Sequence, residues 1–217
     1  MKAPLIIIGM HRSGTSYLAR LLEKSGIFMG VVKDHNYEAM HFLSLNQQVL
    51  WAAGGSWHQP LIPDPIYWKH PAAKALYHEH FKTNTRLQKA CLRWQAPRWG
   101  WKEPRNTFTL PMWLALFPRA RVLHVVRERE GVVRSLMARN QLRSEPRVEA
   151  LQDRAKAQRL WESYVKTGRS YKTSLGPRYH EVAYEDLMDE PASGPAYQKL
   201  AAYCQVELAP HVKQVRR

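Results

Sequence analysis

The segment that most restricts how this chain can fold lies at its beginning, where the apolar run PLIIIG enters the loop sequence GMHRSGTS, residues 9–16. The run from Leu5 to Ile8 shows no alternation of polar and apolar residues, which is typical of a buried parallel strand. The next segment, TSYLARLLEKSG, carries its apolar residues at helical spacing and ends at Gly26. A strand, a glycine-containing loop and a helix in this order predict an α/β fold.

The loop nearly matches the phosphate-binding pattern G-x-x-x-x-G-K-[ST], with one difference. Gly9, Gly14 and Ser16 fit the pattern, whereas Thr15 stands in the lysine position. A turn between a strand and a helix directs backbone N–H groups and the positive end of the helix dipole at an anion. Arg12 would supply the charge of the missing lysine, and its planar fork can hold two oxygen atoms. Hydroxyl donors come from Ser13, Thr15 and Ser16.

The rest of the chain alternates helical and extended apolar segments. Strands are predicted at 120–127 and 179–187, and a short strand or loop at 98–106. Helices are predicted at 38–54, 72–94, 109–118, 130–142, 150–168 and 195–204. Because 217 residues are enough for one sizeable α/β core but too few for two domains and a linker, we read residues 1–217 as one domain with a central parallel sheet flanked by helices, similar to phosphate-loop nucleotide hydrolases.

Charge and cysteine content limit the class of protein. The chain has 33 Lys and Arg against 18 Asp and Glu, a formal charge of +15, so it attracts nucleotides, nucleic acids, acidic glycans or a membrane surface. Cys91 and Cys204 are far apart and form neither a disulfide framework nor a zinc motif. The first apolar run is too short for a signal peptide or a membrane span. We expect a cytoplasmic protein without a transmembrane segment, with peripheral membrane contact left open.

The end of the strand at 120–127 indicates which anion is bound. Proteins that hydrolyse ATP or GTP place an aspartate there to hold Mg²⁺, whereas this strand ends in Arg127. An arginine can pair with a phosphate, and Ser135, eight residues later in a predicted helix, can bond the same group. His78 and His80 point to different faces of a regular helix and cannot chelate together. We therefore expect no metal ion.

Together these residues resemble the sulfotransferases that use 3′-phosphoadenosine 5′-phosphosulfate (PAPS). The blocks NYEAMHFLSLN, GGSW, WGWKEPR, LFPRARVLHVVRE and AYEDLMDEP resemble blocks of bacterial members in the same order, over most of residues 5–191. The resemblance implies that the loop holds the 5′-phosphosulfate through Arg12, Ser13, Gly14, Thr15 and Ser16. It also implies that Arg127 and Ser135 hold the 3′-phosphate and that Tyr184 lies near the adenine.

The resemblance implies a metal-independent, in-line transfer of the sulfuryl group from PAPS to a hydroxyl or amine of a small molecule or glycan, which leaves 3′-phosphoadenosine 5′-phosphate (PAP). Arg12 and backbone N–H groups would stabilise the developing charge, and Lys102 would steady the departing phosphate oxygen. Glu38 is the predicted base, a role worth about 10²–10⁴ in rate. His41 is the second candidate, since it shares a face with Glu38 if the segment is helical.

Two other functions stay open at this stage. A small-molecule kinase shares the first strand, loop and helix, but Thr15 and Arg127 disfavour it. A nucleic-acid-binding module would explain eight arginines against three glutamates between Arg119 and Arg147. No motif for base recognition accompanies them, so we expect no nucleic-acid partner. The C-terminal end lacks the glycine of the family's closing segment; either that lid is absent or its place is taken by Lys213, Arg216 and Arg217.

Overall fold

A computed structural model of the chain describes residues 3–63, 98–142, 147–148 and 151–209. Several sequence-based predictions concern residues outside these ranges. They are the helix at 72–94 with His78 and His80, and the C-terminal Lys213, Arg216 and Arg217.

A sheet of four parallel strands forms the centre of the described fold. The strands are β1 (Leu5–Gly9), β2 (Gly100–Lys102), β3 (Arg121–Val126) and β4 (Tyr179–Ala183). Their spatial order is β2-β1-β3-β4, with β1 paired to both β2 and β3 and with β4 as the outer strand beside β3. Because every strand runs in the same direction, the carboxyl ends meet at one edge of the sheet.

Eight helices cover this sheet in the described part of the chain. Within it, none has the length and apolar character needed to cross a bilayer. A 3₁₀ turn, Gly176–Arg178, precedes β4. The helices are α1 (Thr15–Lys24), α2 (Met40–Ala52), α3 (Asn106–Leu116), α4 (Arg129–Asn140), α5 (Arg154–Ser170), α6 (Lys172–Leu175), α7 (Tyr184–Asp189) and α8 (Pro195–Cys204).

The predicted α/β class, the parallel sheet and the opening strand, loop and helix are confirmed. The predicted strand at 179–187 is too long, because β4 ends at Ala183 and α7 begins at Tyr184. Glu185 and Asp186 lie in the first turn of α7, where carboxylates interact favourably with the helix dipole. The predicted helix at 38–54 begins only at Met40, so Glu38 precedes it.

Alternate residues of β1 face opposite layers of the core. Ile6 and Ile8 pack on the side of α2 and α3, whereas Leu5 and Ile7 pack on the side of α1 and α8. The first layer is aromatic: the rings of Phe42 and Trp101 are stacked with centroids 3.9 Å apart, and Trp113 is fully buried with them. This packing holds α2 and α3 against the sheet behind its carboxyl edge.

One buried amide joins α2, α3 and the loop between β2 and α3. The Nδ2 of Asn46 donates to Glu103 Oε2 at 2.5 Å and to Asn106 Oδ1 at 2.7 Å. Its Oδ1 accepts hydrogen bonds from Thr109 Oγ1 at 2.6 Å and from Trp113 Nε1 at 2.8 Å. All of these side chains are buried, so they depend on one another for their hydrogen bonds.

We expect Asn46→Ala to lower the free energy of unfolding by at least about 2 kcal/mol, since each buried polar group left without a partner costs roughly 1–3 kcal/mol. Urea unfolding measures this change. Gln48→Ala in the same helix is the matched control, because Gln48 is exposed and its loss should stay within about 0.5 kcal/mol. Equal losses in the two variants would contradict a stabilising role for the Asn46 network.

Candidate functional site

A cleft of about 210 Å³ opens at the carboxyl edge of the sheet. Its walls come from the loop after β1 and the start of α1, the segment before α2, the end of β2 and the turn that follows it, the residue after β3, the C-terminal end of α4 and the start of α7. This is where ligands bind in open parallel sheets. The sequence-predicted residues that line it are Arg12, Gly14, Thr15, Ser16, Glu38, Lys102, Arg127 and Tyr184.

The loop after β1 makes a sharp turn that needs its two glycines. Gly9 has φ of 136°, and a Cβ there would lie 2.4 Å from the Val125 carbonyl oxygen. Gly14 has φ of 91° and directly precedes α1. The first N–H groups of α1, which have no acceptor within the helix, therefore lie at the cleft. The backbone of Arg12 is also in the left-handed conformation, with φ of 68°. The loop therefore has the form of an anion-binding turn.

Two of the three loop hydroxyls donate to backbone carbonyls. Ser13 Oγ donates to the Met10 carbonyl at 2.5 Å, and the residue is buried. Ser16 Oγ donates to the Asn36 carbonyl and still lines the cleft. Ser13 does not line the cleft, because its hydroxyl is turned into the loop itself.

Arg127 directly contacts the loop after β1. Its Nη1 donates to the Arg12 carbonyl oxygen at 3.3 Å, and its guanidinium carbon lies 4.8 Å from the centroid of the Tyr184 ring. The Tyr184 ring in turn covers Gly14, where an added Cβ would be only 2.1 Å from Cδ2. The end of β3, the loop after β1 and the start of α7 are thus packed into one surface.

Ser135 is joined to the same surface through Arg12. Its hydroxyl, on α4, accepts a hydrogen bond of 2.9 Å from Arg12 Nε. Ser135 does not itself line the cleft, whereas Arg139, one turn later on α4, does. The residues that the sequence predicts for the two ends of one nucleotide are therefore in direct contact with one another.

A carboxylate surrounded by cations lies on the other side of the cleft. Glu38 Oε1 is 3.4 Å from Lys102 Nζ, and Glu38 Oε2 is 3.6 Å from Arg105 Nη1. Lys102 also donates to the Asn36 carbonyl at 2.7 Å. Burial lowers the pKa of the Lys102 ammonium, and the negative charge of Glu38 opposes that shift.

A second, fully buried carboxylate supports this cluster from behind. Glu103 Oε1 is 2.6 Å from Arg105 Nη1, and the side chain of Glu103 has no exposed surface. Burial raises the pKa of Glu103 to about 7, although the charge of Arg105 opposes the shift. Arg105 is thus held between Glu103 and Glu38.

His41 is buried on α2, with its ring 4.9 Å from that of Phe42, and it does not line the cleft. The expectation that Glu38 and His41 share a helical face is wrong, because α2 begins at Met40 and Glu38 lies in the extended segment before it. The sequence analysis also missed several residues of the site, and three of them carry titratable side chains that face the cleft or Glu38. They are His11 and Arg139, which line the cleft, and Arg105, which contacts Glu38.

A signal for each of these three was present in the sequence. His11 is next to Arg12 in the loop, and Arg139 is one helical turn beyond Ser135. Arg105 closes the block WGWKEPR. None of the three stands at a defining position of the phosphate-loop pattern, so the pattern alone did not select them.

Comparison with protein-family models identifies one family for this chain. The sequence model described as sulfotransferase family matches residues 4–210. The fold is similar to the sulfotransferase domain from the curacin biosynthetic pathway, with 19% identity and a TM-score of 0.60 over 97% of this chain and 76% of that one. It is also similar to the sulfotransferase domain of the Synechococcus PCC 7002 olefin synthase, with 20% identity and a TM-score of 0.61 over 96% of this chain and 76% of that one.

A third similar structure is sulfotransferase STF1 from Mycobacterium tuberculosis H37Rv, with 16% identity and a TM-score of 0.58 over 96% of this chain and 69% of that one. At these identities the likeness to solved structures shows a shared fold. A comparison with curated proteins found no match.

We expect Gly14→Ala to destabilise the protein more than Gly26→Ala does. Both glycines have similar φ angles, 91° and 85°, but only Gly14 is covered by the Tyr184 ring, and nothing lies within 4 Å of the Cβ position at Gly26. Gly26→Ala should therefore cost only the left-handed strain, about 1–2 kcal/mol. Urea unfolding of both variants, and of Gly14→Ala combined with Tyr184→Ala, measures the difference. If the Tyr184→Ala change relieves none of it, the ring is not its cause.

We expect Glu103 to make stability fall as pH rises from about 5 to 8. Its pKa is about 7 in the folded chain against an ordinary 4.5, so between these values the folded protein holds a proton that the unfolded chain lacks. That contribution is complete below about pH 4.5 and is lost as pH rises through 7. The difference in unfolding free energy between the unchanged protein and Glu103→Gln should show this slope. Glu207→Gln, at an exposed position, should leave the slope unchanged.

Proposed function

The chain belongs to the sulfotransferase family, and on that premise we propose that it transfers the sulfuryl group of PAPS to a hydroxyl or amine of a small-molecule or glycan acceptor. The observation that carries the proposal is the contact between the Arg127 guanidinium and the loop that contains Arg12. Two cationic groups, each suited to a phosphate, border one cleft. PAPS carries an anionic group at both its 5′ and its 3′ position, which this arrangement matches.

In the proposed donor complex the 5′-phosphosulfate lies at the start of α1. There it would meet Arg12 and the backbone N–H groups of Gly14, Thr15 and Ser16, which are aimed at an anion by the helix. The 3′-phosphate would bind Arg127 and Ser135. The Tyr184 ring, which already packs under the Arg127 guanidinium, offers an apolar face to the adenine. Ser13 would act by shaping the loop, since its hydroxyl bonds the Met10 carbonyl.

The reaction then needs charge stabilisation and removal of one proton. The bond between sulfur and the phosphate oxygen breaks while a bond forms from sulfur to the acceptor atom, and PAP departs with the electron pair. Arg12, Lys102 and the loop N–H groups would stabilise the charge that develops on the phosphate oxygen. The Glu38 carboxylate lines the cleft beside Lys102. Its negative charge would favour removal of the proton from the acceptor. No step requires a metal ion.

A kinase would share the first strand and loop, so the two functions are separated by measuring which nucleotide binds. We expect PAP without Mg²⁺ to raise the melting temperature, with a stabilisation of about 2.7 kcal/mol at 100 times the Kd. Arg127→Ala should weaken PAP binding at least about tenfold, because a charge-assisted hydrogen bond contributes roughly 1.5–3 kcal/mol. Arg119→Ala removes an exposed arginine outside the cleft lining and should bind PAP normally.

Other outcomes of this thermal-shift measurement would contradict the proposal. Stabilisation by ATP with Mg²⁺ but not by PAP would favour the kinase. Strongly salt-dependent binding of oligonucleotides, with no effect of PAP, would favour a nucleic-acid-binding module.

A further inference from the structure

We infer that His11 is a catalytic residue which takes the proton of the sulfuryl acceptor at Nε2, with Glu38 as the carboxylate that faces its Nδ1. This inference rests on the proposed sulfuryl transfer and names the route by which Glu38 serves it. His11 lies in the loop after β1, at a position where the phosphate-binding pattern accepts any residue.

The position of the His11 ring suits this role. His11 lines the cleft although only 7% of its surface is exposed. Its ring is held by two aromatic neighbours, with centroid distances of 4.7 Å to Trp57 and 6.2 Å to Tyr164. The ring therefore has a defined orientation beside the place where the donor's phosphosulfate would bind.

The two ring nitrogens have different surroundings. Nδ1 lies 3.8 Å from Glu38 Oε1, a separation that a small closure of the cleft would turn into a hydrogen bond. Nε2 is buried and has no hydrogen-bond partner among the residues that the structure describes. A buried polar nitrogen without a partner is costly and uncommon in folded proteins. Other buried histidine nitrogens in the described residues share this state, but His11 is the one of these histidines that lines the cleft, so its Nε2 is the nitrogen that a bound molecule would complete.

Glu38 is less suited to contact the acceptor itself. Its Oε1 faces Lys102 and its Oε2 faces Arg105, so both carboxylate oxygens are already directed at cations. In this position Glu38 can accept a hydrogen bond from His11 Nδ1–H and balance the charge of an imidazolium. Such a pair of an imidazole and a carboxylate is a common form of general base.

The charges around His11 keep it neutral in the free protein. Burial is the main cause that lowers the pKa of His11 well below 6.5, and the positive charges of four nearby residues lower it further. Glu38 is the one carboxylate within 4 Å of the ring among the described residues. The four cations belong to the loop itself, to β2, to the turn before α3 and to α4, and they are Arg12, Lys102, Arg105 and Arg139.

Donor binding would reverse part of this effect. The 5′-phosphosulfate brings negative charge next to Arg12, and this charge offsets the repulsion between the cations and an imidazolium. His11 thus becomes a stronger base when the donor is in place. In the step itself the acceptor's O–H or N–H proton moves to Nε2 while sulfur bonds to the acceptor atom and its bond to the PAP oxygen breaks. The proton then passes from the imidazolium to water after the products leave.

Nitrogen NMR of ¹⁵N-labelled protein tests the state of the ring without any acceptor. We expect the His11 resonances, assigned by their loss in His11→Asn, to show a neutral ring at pH 7 with its proton on Nδ1. Saturating PAP should raise the pKa of His11, whereas Glu38→Gln should lower it in the PAP complex. His180 lies on β4 and stacks on Tyr203, so its signals should respond to neither change. A proton on Nε2, or a ring that is insensitive to both PAP and Glu38→Gln, would overturn the inference.

Sulfuryl transfer from ³⁵S-labelled PAPS tests the catalytic role. With methanol and 2-naphthol as acceptor probes, His11→Asn and His11→Gln should lower kcat by about 10²–10⁴ while PAP still raises the melting temperature as in the unchanged protein. With 4-nitrophenol at pH 8, where the acceptor is already ionised, the loss should be small. His180→Asn should keep full activity. Unchanged kcat in both His11 variants, or an equal loss with all three acceptors, would contradict proton transfer to His11.

The failure of the inference and that of the proposed function can be told apart. If the unchanged protein binds PAP but the His11 variants behave like His180→Asn, the sulfotransferase proposal stands and the role of His11 is wrong. If PAP does not bind the unchanged protein at all, the proposed function fails first, and the inference fails with it. If none of the three probes is accepted, the NMR result decides.

Discussion

The parallel pairing of β1 with β3 is the constraint on which the site depends. Its register sets Leu5 opposite Arg121 and Gly9 opposite Val125, so the two strands end at the same level. Arg127 therefore emerges beside the loop after β1 and can donate to the Arg12 carbonyl. A slip of one residue would turn every side chain of the strand to the other face and separate these groups.

The concentration of cations at this edge is supported by buried polar groups behind it. Arg105 is held between Glu38 and Glu103, and Glu103 is held in turn by the Asn46 amide. Removing one member of such a chain leaves a buried charge without its partner, which costs more than an exposed ion pair contributes. The geometry of the site thus depends on the packing of α2 and α3. Both helices contribute buried side chains to the aromatic layer of the core.

Much of the fold and part of the site could be predicted from local patterns. The apolar run at Leu5, the glycines of the loop and the arginine after β3 are each visible within a few residues, because backbone conformation and strand burial depend on near neighbours. The predictions that failed depended on the residue at which a strand ends or a helix begins. The extension of the strand beyond Ala183 was wrong, and so was the shared helical face of Glu38 and His41. Helix starts depend on capping and on tertiary contacts that a periodic pattern does not contain.

The sequence by itself determined the α/β class, the glycine-containing turn after β1 and the identity of the two arginines that border it, because these follow from glycine placement, strand burial and residue chemistry. Only the tertiary structure decided that Arg12 meets Ser135, that Glu38 faces Lys102 and Arg105, and that His11 lines the cleft with one nitrogen that has no hydrogen-bond partner in the described part of the chain. The three contacts join residues that are from 64 to 123 positions apart in the chain. They arise from the order in which the strands are placed in the sheet, and no local pattern carries that information.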